Sequence, residues 1–250
     1  MIKQKKRLDV RMMAGAPDLQ TTAGLLQKLA GLGVTGVQLV LPFSDPMAAQ
    51  GLLQEAGDRA LQAGTTMGKV FQLLDSLRSD LDLEITLVTY MNPLLTYGYA
   101  AFFQSCRQAG VGSVLVVDLP YEERQELLPY SRAEGVGLVT TCAVSCPQRL
   151  ARIAAEASNV IYVTGGSRGS EVNRRRVEQL TTQLQPLTQL PLLVGYSGTS
   201  LEEAAEYAQL GAGVLLEDLA IQYLEQEGEQ GVARLLGELD GLRTILEYIL

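Results

Sequence analysis

The sequence predicts an α/β fold, a (β/α)8 TIM barrel of parallel strands occupying residues 1–250 as a single domain. Three observations predict it. Short apolar runs alternate with longer amphipathic segments along the whole chain. The runs are rich in Val, Leu and Ile and alternate poorly, as strands covered on both faces do. A passage of helix, glycine and apolar strand also recurs, in "AGLGVTGVQLV", "RQAGVGSVLVV", "RAEGVGLVTT" and "AQLGAGVLL". Eight such units in 250 residues match the usual size of the barrel. An open doubly wound sheet gives the same signals except closure, and it is the alternative.

In chain order, strands are expected at 8–13, 36–41, 85–89, 113–117, 137–141, 160–164, 191–194 and 213–216. Helices are expected at 21–32, 67–79, 99–109, 122–134, 147–157, 174–185, 200–209 and near 231–239. Asp18 and Ser200 stand where an N-cap side chain is wanted, and Pro147 suits a first helical turn. Gly33, Gly110, Gly135 and Gly211 fall just past helices, where a left-handed residue is expected. About seven residues precede the first strand, too few for a stable helix, so the barrel floor is expected to be thinly covered. Function belongs where strands end, on the loops 14–18, 42–51, 90–97, 118–121, 165–173, 195–199 and 217–218.

Composition removes several functional classes. The chain carries no histidine, which excludes histidine general bases, Ser-His and Cys-His nucleophiles and His-ligated zinc. Acid/base chemistry must come from Asp, Glu, Lys, Tyr or Cys. A net charge of −8 disfavours nucleic acid, and the basic run at 3–7 is too short to alter that. No signal peptide or membrane-length apolar run is evident, so the cytoplasm is the expected compartment and no membrane is a partner. Cys106, Cys142 and Cys146 read as buried free thiols, and no metal site is expected.

Five ordered motifs then point to one family. They are "GVQLVLPFSDPMAAQGLLQEAGDRALQAGTT" after the second strand, "VTYMNPLLTYG", "VDLPYEE", "IYV" and "PLLVGYS". Together they resemble the tryptophan synthase alpha chain family, whose signature reads approximately "IELGIPFSDPLADGPVIQ". Pro42-Phe43-Ser44-Asp45-Pro46 matches it without a gap. The resemblance runs from about Val10 to Leu224. It implies retro-aldol lysis of indole-3-glycerol phosphate to indole and glyceraldehyde 3-phosphate, without a cofactor. That chemistry uses a Glu on the second strand to move protons and an Asp on the following loop to pair with the indole N–H.

This sequence departs from that pattern at both positions. The Glu falls on Gln38, whose carboxamide cannot shuttle a proton near neutral pH, and the Asp falls on Ala49. The small Gly after the acid becomes Val40. At the expected phosphate site the residues are Glu217 and Asp218, two carboxylates at a helix start, where they repel a phosphate. Ser197 replaces a glycine beside Gly195, and Arg168 or the run 174–176 is the remaining source of positive charge.

The family's loops after strands 2, 3 and 4 also face the tryptophan synthase beta chain. On them this chain keeps Phe43, Asp45, Pro46, Asn92, Pro93, Leu119 and Pro120. Three readings stay open. The first is a non-catalytic or strongly impaired alpha chain that docks on a beta chain and regulates it. The second is a barrel enzyme with altered chemistry, drawing on Tyr90, Tyr162, Gly195, Ser197, Glu217 and Asp218. The third is a working alpha chain that needs a carboxylate close to Gln38, with Asp45 the nearest in sequence.

Overall fold

A computed structural model describes residues 6–47, 49, 51–143, 147–164 and 171–248. One parallel sheet forms the centre. Its strands are β1 (Arg7–Met13), β2 (Gly36–Val40), β3 (Glu84–Thr89), β4 (Val111–Val116), β5 (Gly137–Leu138), β6 (Thr140–Cys142), β7 (Ile161–Val163), β8 (Leu192–Tyr196) and β9 (Gly213–Leu216). They lie in the order β5-β4-β3-β2-β1-β9-β8-β7-β6. The two ends of that row, β5 and β6, are consecutive in the chain. They are halves of one strand parted at Val139, whose N–H donates to the Val114 carbonyl at 2.9 Å. The row therefore closes on itself, and the structure is the (β/α)8 barrel rather than the open sheet.

Parallel register decides which side chains point inward. Residues paired across parallel strands share a face, and the face alternates along each strand. Val10, Leu39, Leu87, Val114, Val163, Val194 and Leu216 face outward into the main core against the helices. Met13, Val40, Val88, Leu115, Val139, Tyr162, Leu193 and Leu215 make the second core inside the barrel. Below them, on the same inward parity, sit polar residues: Arg11 pairs with Gln38 in register, and Gln38 with Thr86. At the N-terminal end Arg7 donates to Asp9 at 3.0 Å and to Glu84 at 2.7 Å. Asp9 is buried there and leans over Gly36, where a Cβ would stand 2.9 Å from its carboxylate.

The helices are α1 (Leu19–Gly31), α2 (Leu52–Gln62), α3 (Met67–Leu77), α4 (Met91–Tyr97), α5 (Tyr99–Gln108), α6 (Leu128–Glu134), α7 (Pro147–Glu156), α8 (Glu171–Leu184), α9 (Leu201–Leu210) and α10 (Leu219–Tyr248). A 3-10 turn at Tyr121–Glu126 precedes α6, so the single helix expected over 122–134 is in two pieces. Asp18 caps α1 by accepting from the Thr21 N–H at 2.7 Å, and Ser200 caps α9 by accepting from Glu203. Pro147 opens α7. Gly33, Gly110 and Gly135 are left-handed as expected.

Gly211 is not: its φ is −137° and its backbone is extended. Glycine is required there for space instead, because a side chain would run into the Leu192 carbonyl. Two helices, α2 and α4, lie where the apolar pattern marks none. The C-terminal segment Leu219–Tyr248 is two helices meeting at Gly228, whose φ of +55° is not helical, and the second of them contains the expected 231–239. No helix among the described residues is long and apolar enough to cross a membrane.

Phe102 of α5 is fully buried, and its ring meets those of Phe71, Tyr97 and Phe103. These contacts join α3, α4 and α5 and so hold the loop after β3 in place. Phe102→Ala is expected to cost about 3–5 kcal/mol of stability. Urea denaturation checks this, and a loss below about 1 kcal/mol would mean the cluster is not structural.

Candidate functional site

A cavity of about 340 Å³ opens at the C-terminal mouth of the barrel. Its walls are mostly apolar: Met13, Val40, Leu53, Val88, Leu115 and Val117, with Phe43 and Tyr90. The last two rings lie 5.5 Å apart, centroid to centroid. Ala49, buried at the edge of the loop after β2, is also part of the wall.

The floor is polar, and Arg11 organises it. Its Nε and Nη2 both donate to Gln38 Oε1, at 3.1 and 2.7 Å. Its Nη1 donates to Glu217 Oε1 at 2.9 Å in an ion pair. Both side chains are largely buried, 15% and 13% exposed, and both reach the cavity. The Tyr162 hydroxyl donates to Glu217 Oε1, and Ser197 Oγ donates to Glu217 Oε2 at 2.5 Å. Arg11 Nη2 approaches the Tyr162 oxygen at 3.4 Å. Every partner comes from a different strand or strand end, all on the inward parity.

Electrostatics follow from this packing. Burial works against the Arg11 charge, but the neighbouring Tyr162 and Glu217 groups outweigh it and hold the guanidinium's pKa above its ordinary value. Burial, then the adjacent Glu217 charge, pushes the Tyr162 phenol well up, with Arg11 opposing. Tyr162 therefore stays a neutral donor at physiological pH.

The sequence-derived candidates separate into groups. Tyr90, Tyr162, Glu217 and Ala49 line the cavity, as do Phe43 and Pro46, expected to face outward. Gln38 lies beneath, buried and held by Arg11. Ser197 contributes through Glu217 rather than by lining the cavity. Gly195 leaves room for Tyr162, since a Cβ there would sit 2.5 Å from its hydroxyl. Glu217, expected beside Asp218 at the helix start, turns into the barrel towards Arg11, Tyr162 and Ser197. The Asp218 carbonyl accepts from the Gln222 N–H at 2.8 Å as α10 begins.

Asp45 is exposed, accepting from Ser44 Oγ at 2.6 Å, and it does not reach Gln38; the carboxylate near Gln38 is Glu217. Arg168 and Cys146 lie outside the described residues. Arg174 is spent in an exposed ion pair with Glu206 at 2.9 Å. Cys106 and Cys142 are buried thiols, and burial pushes Cys142 up to about 11.

Around the mouth, Asn92 and Pro120 are exposed, and Pro93 and Leu119 are half-buried. Asp118 Oδ1 accepts from the Met91 N–H at 2.8 Å and ties the loops after β3 and β4 together. Met47 and Leu95 stand out from the same rim, 85% and 65% exposed. Sequence reasoning missed Arg11. The signal was there: an arginine midway along an apolar strand that is buried on both faces must meet a counter-charge somewhere in the fold.

The chain is thus a (β/α)8 protein with an apolar cavity over a polar floor at the C-terminal mouth, the end at which such barrels hold small molecules. The family model for the tryptophan synthase alpha chain matches residues 2–244, and the chain belongs to that family. It is 36% identical over 233 residues to the tryptophan synthase alpha chain of Synechococcus elongatus, covering 91% of this chain and 88% of that one. A tryptophan synthase subunit alpha structure from Legionella pneumophila superposes with a TM-score of 0.87 at 25% identity, covering 97% and 93% of the two chains. A chain of the tryptophan synthase complex from Pyrococcus furiosus shares the fold, with a TM-score of 0.85 at 24% identity over 96% and 98%.

Removing one partner of a buried ion pair strands the other. Arg11→Met is therefore expected to destabilise the protein by about 3–5 kcal/mol. The double variant Arg11→Met/Glu217→Leu should recover most of that loss. Denaturant titration of both decides it, and an Arg11→Met protein as stable as the parent would refute the pairing.

Proposed function

We propose that this chain is a non-catalytic or strongly impaired homologue of indole-3-glycerol-phosphate lyase that docks on a tryptophan synthase beta chain and regulates it. The observation that carries the reading is the state of the cavity. Among its described lining residues Glu217 is the sole carboxylate, and it is occupied by Arg11, Tyr162 and Ser197. The residue matched to the family's acid is Gln38, an amide whose oxygen already accepts two hydrogen bonds from Arg11. The residue matched to its Asp is Ala49, which offers neither proton nor acceptor.

The retained loops support the second half of the proposal. Phe43-Ser44-Asp45-Pro46, Asn92-Pro93 and Leu119-Pro120 crowd one rim, beside exposed Met47 and Leu95. Exposed apolar groups gathered around a pocket mouth suit a protein partner. Docking there would act by shifting the beta chain's conformational population, which needs complementary loops and no acid/base pair.

A second reading has one observation in its favour. Glu217 and Tyr162 share a hydrogen bond at the cavity floor, and a carboxylate–phenol pair can move a proton. On that reading the chain is a lyase with altered chemistry.

Each general acid/base is worth about 10²–10⁴-fold, so loss of two predicts cleavage of indole-3-glycerol phosphate at least about 10⁴-fold slower than in catalytic relatives. The purified chain is assayed alone and with a cognate beta chain, while the beta reaction from indole and serine is followed. Absent cleavage with a stimulated beta reaction is the expected result. Indole release at about 1–10³ s⁻¹ would overturn the proposal. A Glu217→Gln variant that abolished such release would support the second reading.

A further inference from the structure

The cavity joins two features that seldom suit the same ligand. Its walls are apolar and aromatic, yet its floor holds an arginine. A buried guanidinium is ordinarily the strongest invitation a pocket can offer to a carboxylate or phosphate. Here that invitation is withdrawn. Three of the Arg11 N–H donors go to Gln38 and Glu217, and a fourth approaches the Tyr162 oxygen at 3.4 Å. Glu217 returns a full negative charge at 2.9 Å. Among the described lining residues Glu217 is the sole carboxylate, so the floor pairs one positive charge with one negative.

An anionic ligand entering this cavity would lose its hydration and gain no free cation among the described lining residues. It would also meet the Glu217 carboxylate, and like charges brought together in a desolvated site are costly. An uncharged planar ring suffers none of these penalties. It can lie between the Phe43–Tyr90 pair and the Val40, Val88 and Leu115 side chains, displacing water from apolar surface.

We infer that the Arg11–Glu217 pair is a specificity determinant, which sets the cavity to accept uncharged planar aromatic ligands and to reject anionic ones of the same size. Glu217 is the excluding element and Arg11 a latent anion site that Glu217 keeps closed. The inference concerns binding alone and is independent of whether the chain turns over a substrate or docks on a partner.

The test uses a matched pair of probes, 2-naphthol, uncharged at pH 7.5, and the 2-naphthoate anion. The chain has no tryptophan, so naphthyl fluorescence reports binding directly. The parent protein should bind 2-naphthol at least about tenfold more tightly than 2-naphthoate. Glu217→Gln should move that ratio at least about tenfold towards 2-naphthoate, with 2-naphthol changed less than about threefold. A merely structural role for Glu217 would weaken both probes together. Equal affinity of the parent for the two probes, no binding of either, or an unchanged ratio in Glu217→Gln would each overturn the inference. If Glu217→Gln does not fold, the parent ratio decides by itself. Arg11→Met/Glu217→Leu, which has no cation to release, must then still favour 2-naphthol. Because the readout is affinity, its failure is distinct from failure of the lyase and docking assays.

Discussion

The buried pair of Arg11 and Glu217 is the constraint on which the barrel's centre depends. A guanidinium inside a ring of parallel strands is tolerable only if its charge and its donors are met. Glu217 meets the charge, Gln38 takes two donors, and Tyr162 and Ser197 complete the acceptors of Glu217. These contacts tie β1 and β2 to β7 and to the ends of β8 and β9. They reach across the barrel where neighbouring backbones cannot. Gly195 belongs to the same arrangement, since any side chain there would displace Tyr162.

That floor also determines what the mouth can do. The polar groups that might have served chemistry are turned towards each other, and the ligand-facing surface is left to Phe43, Tyr90 and the aliphatic layer of Val40, Val88 and Leu115. The loops around it are separately braced. Asp118 pins the loop after β4 to the start of α4, and the Phe71, Tyr97, Phe102 and Phe103 rings pin α4 and α5 from behind. A rim fixed in this way can present a constant face to a partner whatever the cavity holds.

Much of this was legible in the primary structure. The eight strand runs fall on the observed strands because a strand buried on both faces cannot avoid being a continuous apolar run. Asp18, Ser200 and Pro147 mark helix starts because the backbone at a helix terminus needs those side chains whatever lies around it. Local chemistry was less reliable where space, rather than conformation, made the choice. Gly211 reads as a left-handed cap and is instead an extended residue pressed against Leu192. Helices α2 and α4 escaped notice because they lie beside the mouth. Their apolar residues serve the cavity and the loops as well as the core, which blurs the periodicity. The family motifs placed Gln38, Ala49, Tyr162 and Glu217 near one another, but nothing in them joined Arg11 to that group.

The sequence by itself therefore determined the succession of β/α units and, through its ordered motifs, the family, since these depend on local pattern and on residue identity. Only the tertiary structure decided what Glu217 faces, that Asp45 stands out in solvent, and that Arg11 and Glu217, 206 positions apart, neutralise each other. The physical reason is barrel closure. It brings the first strand beside the last and turns their alternate side chains to a common axis, and the partner found there depends on every strand between.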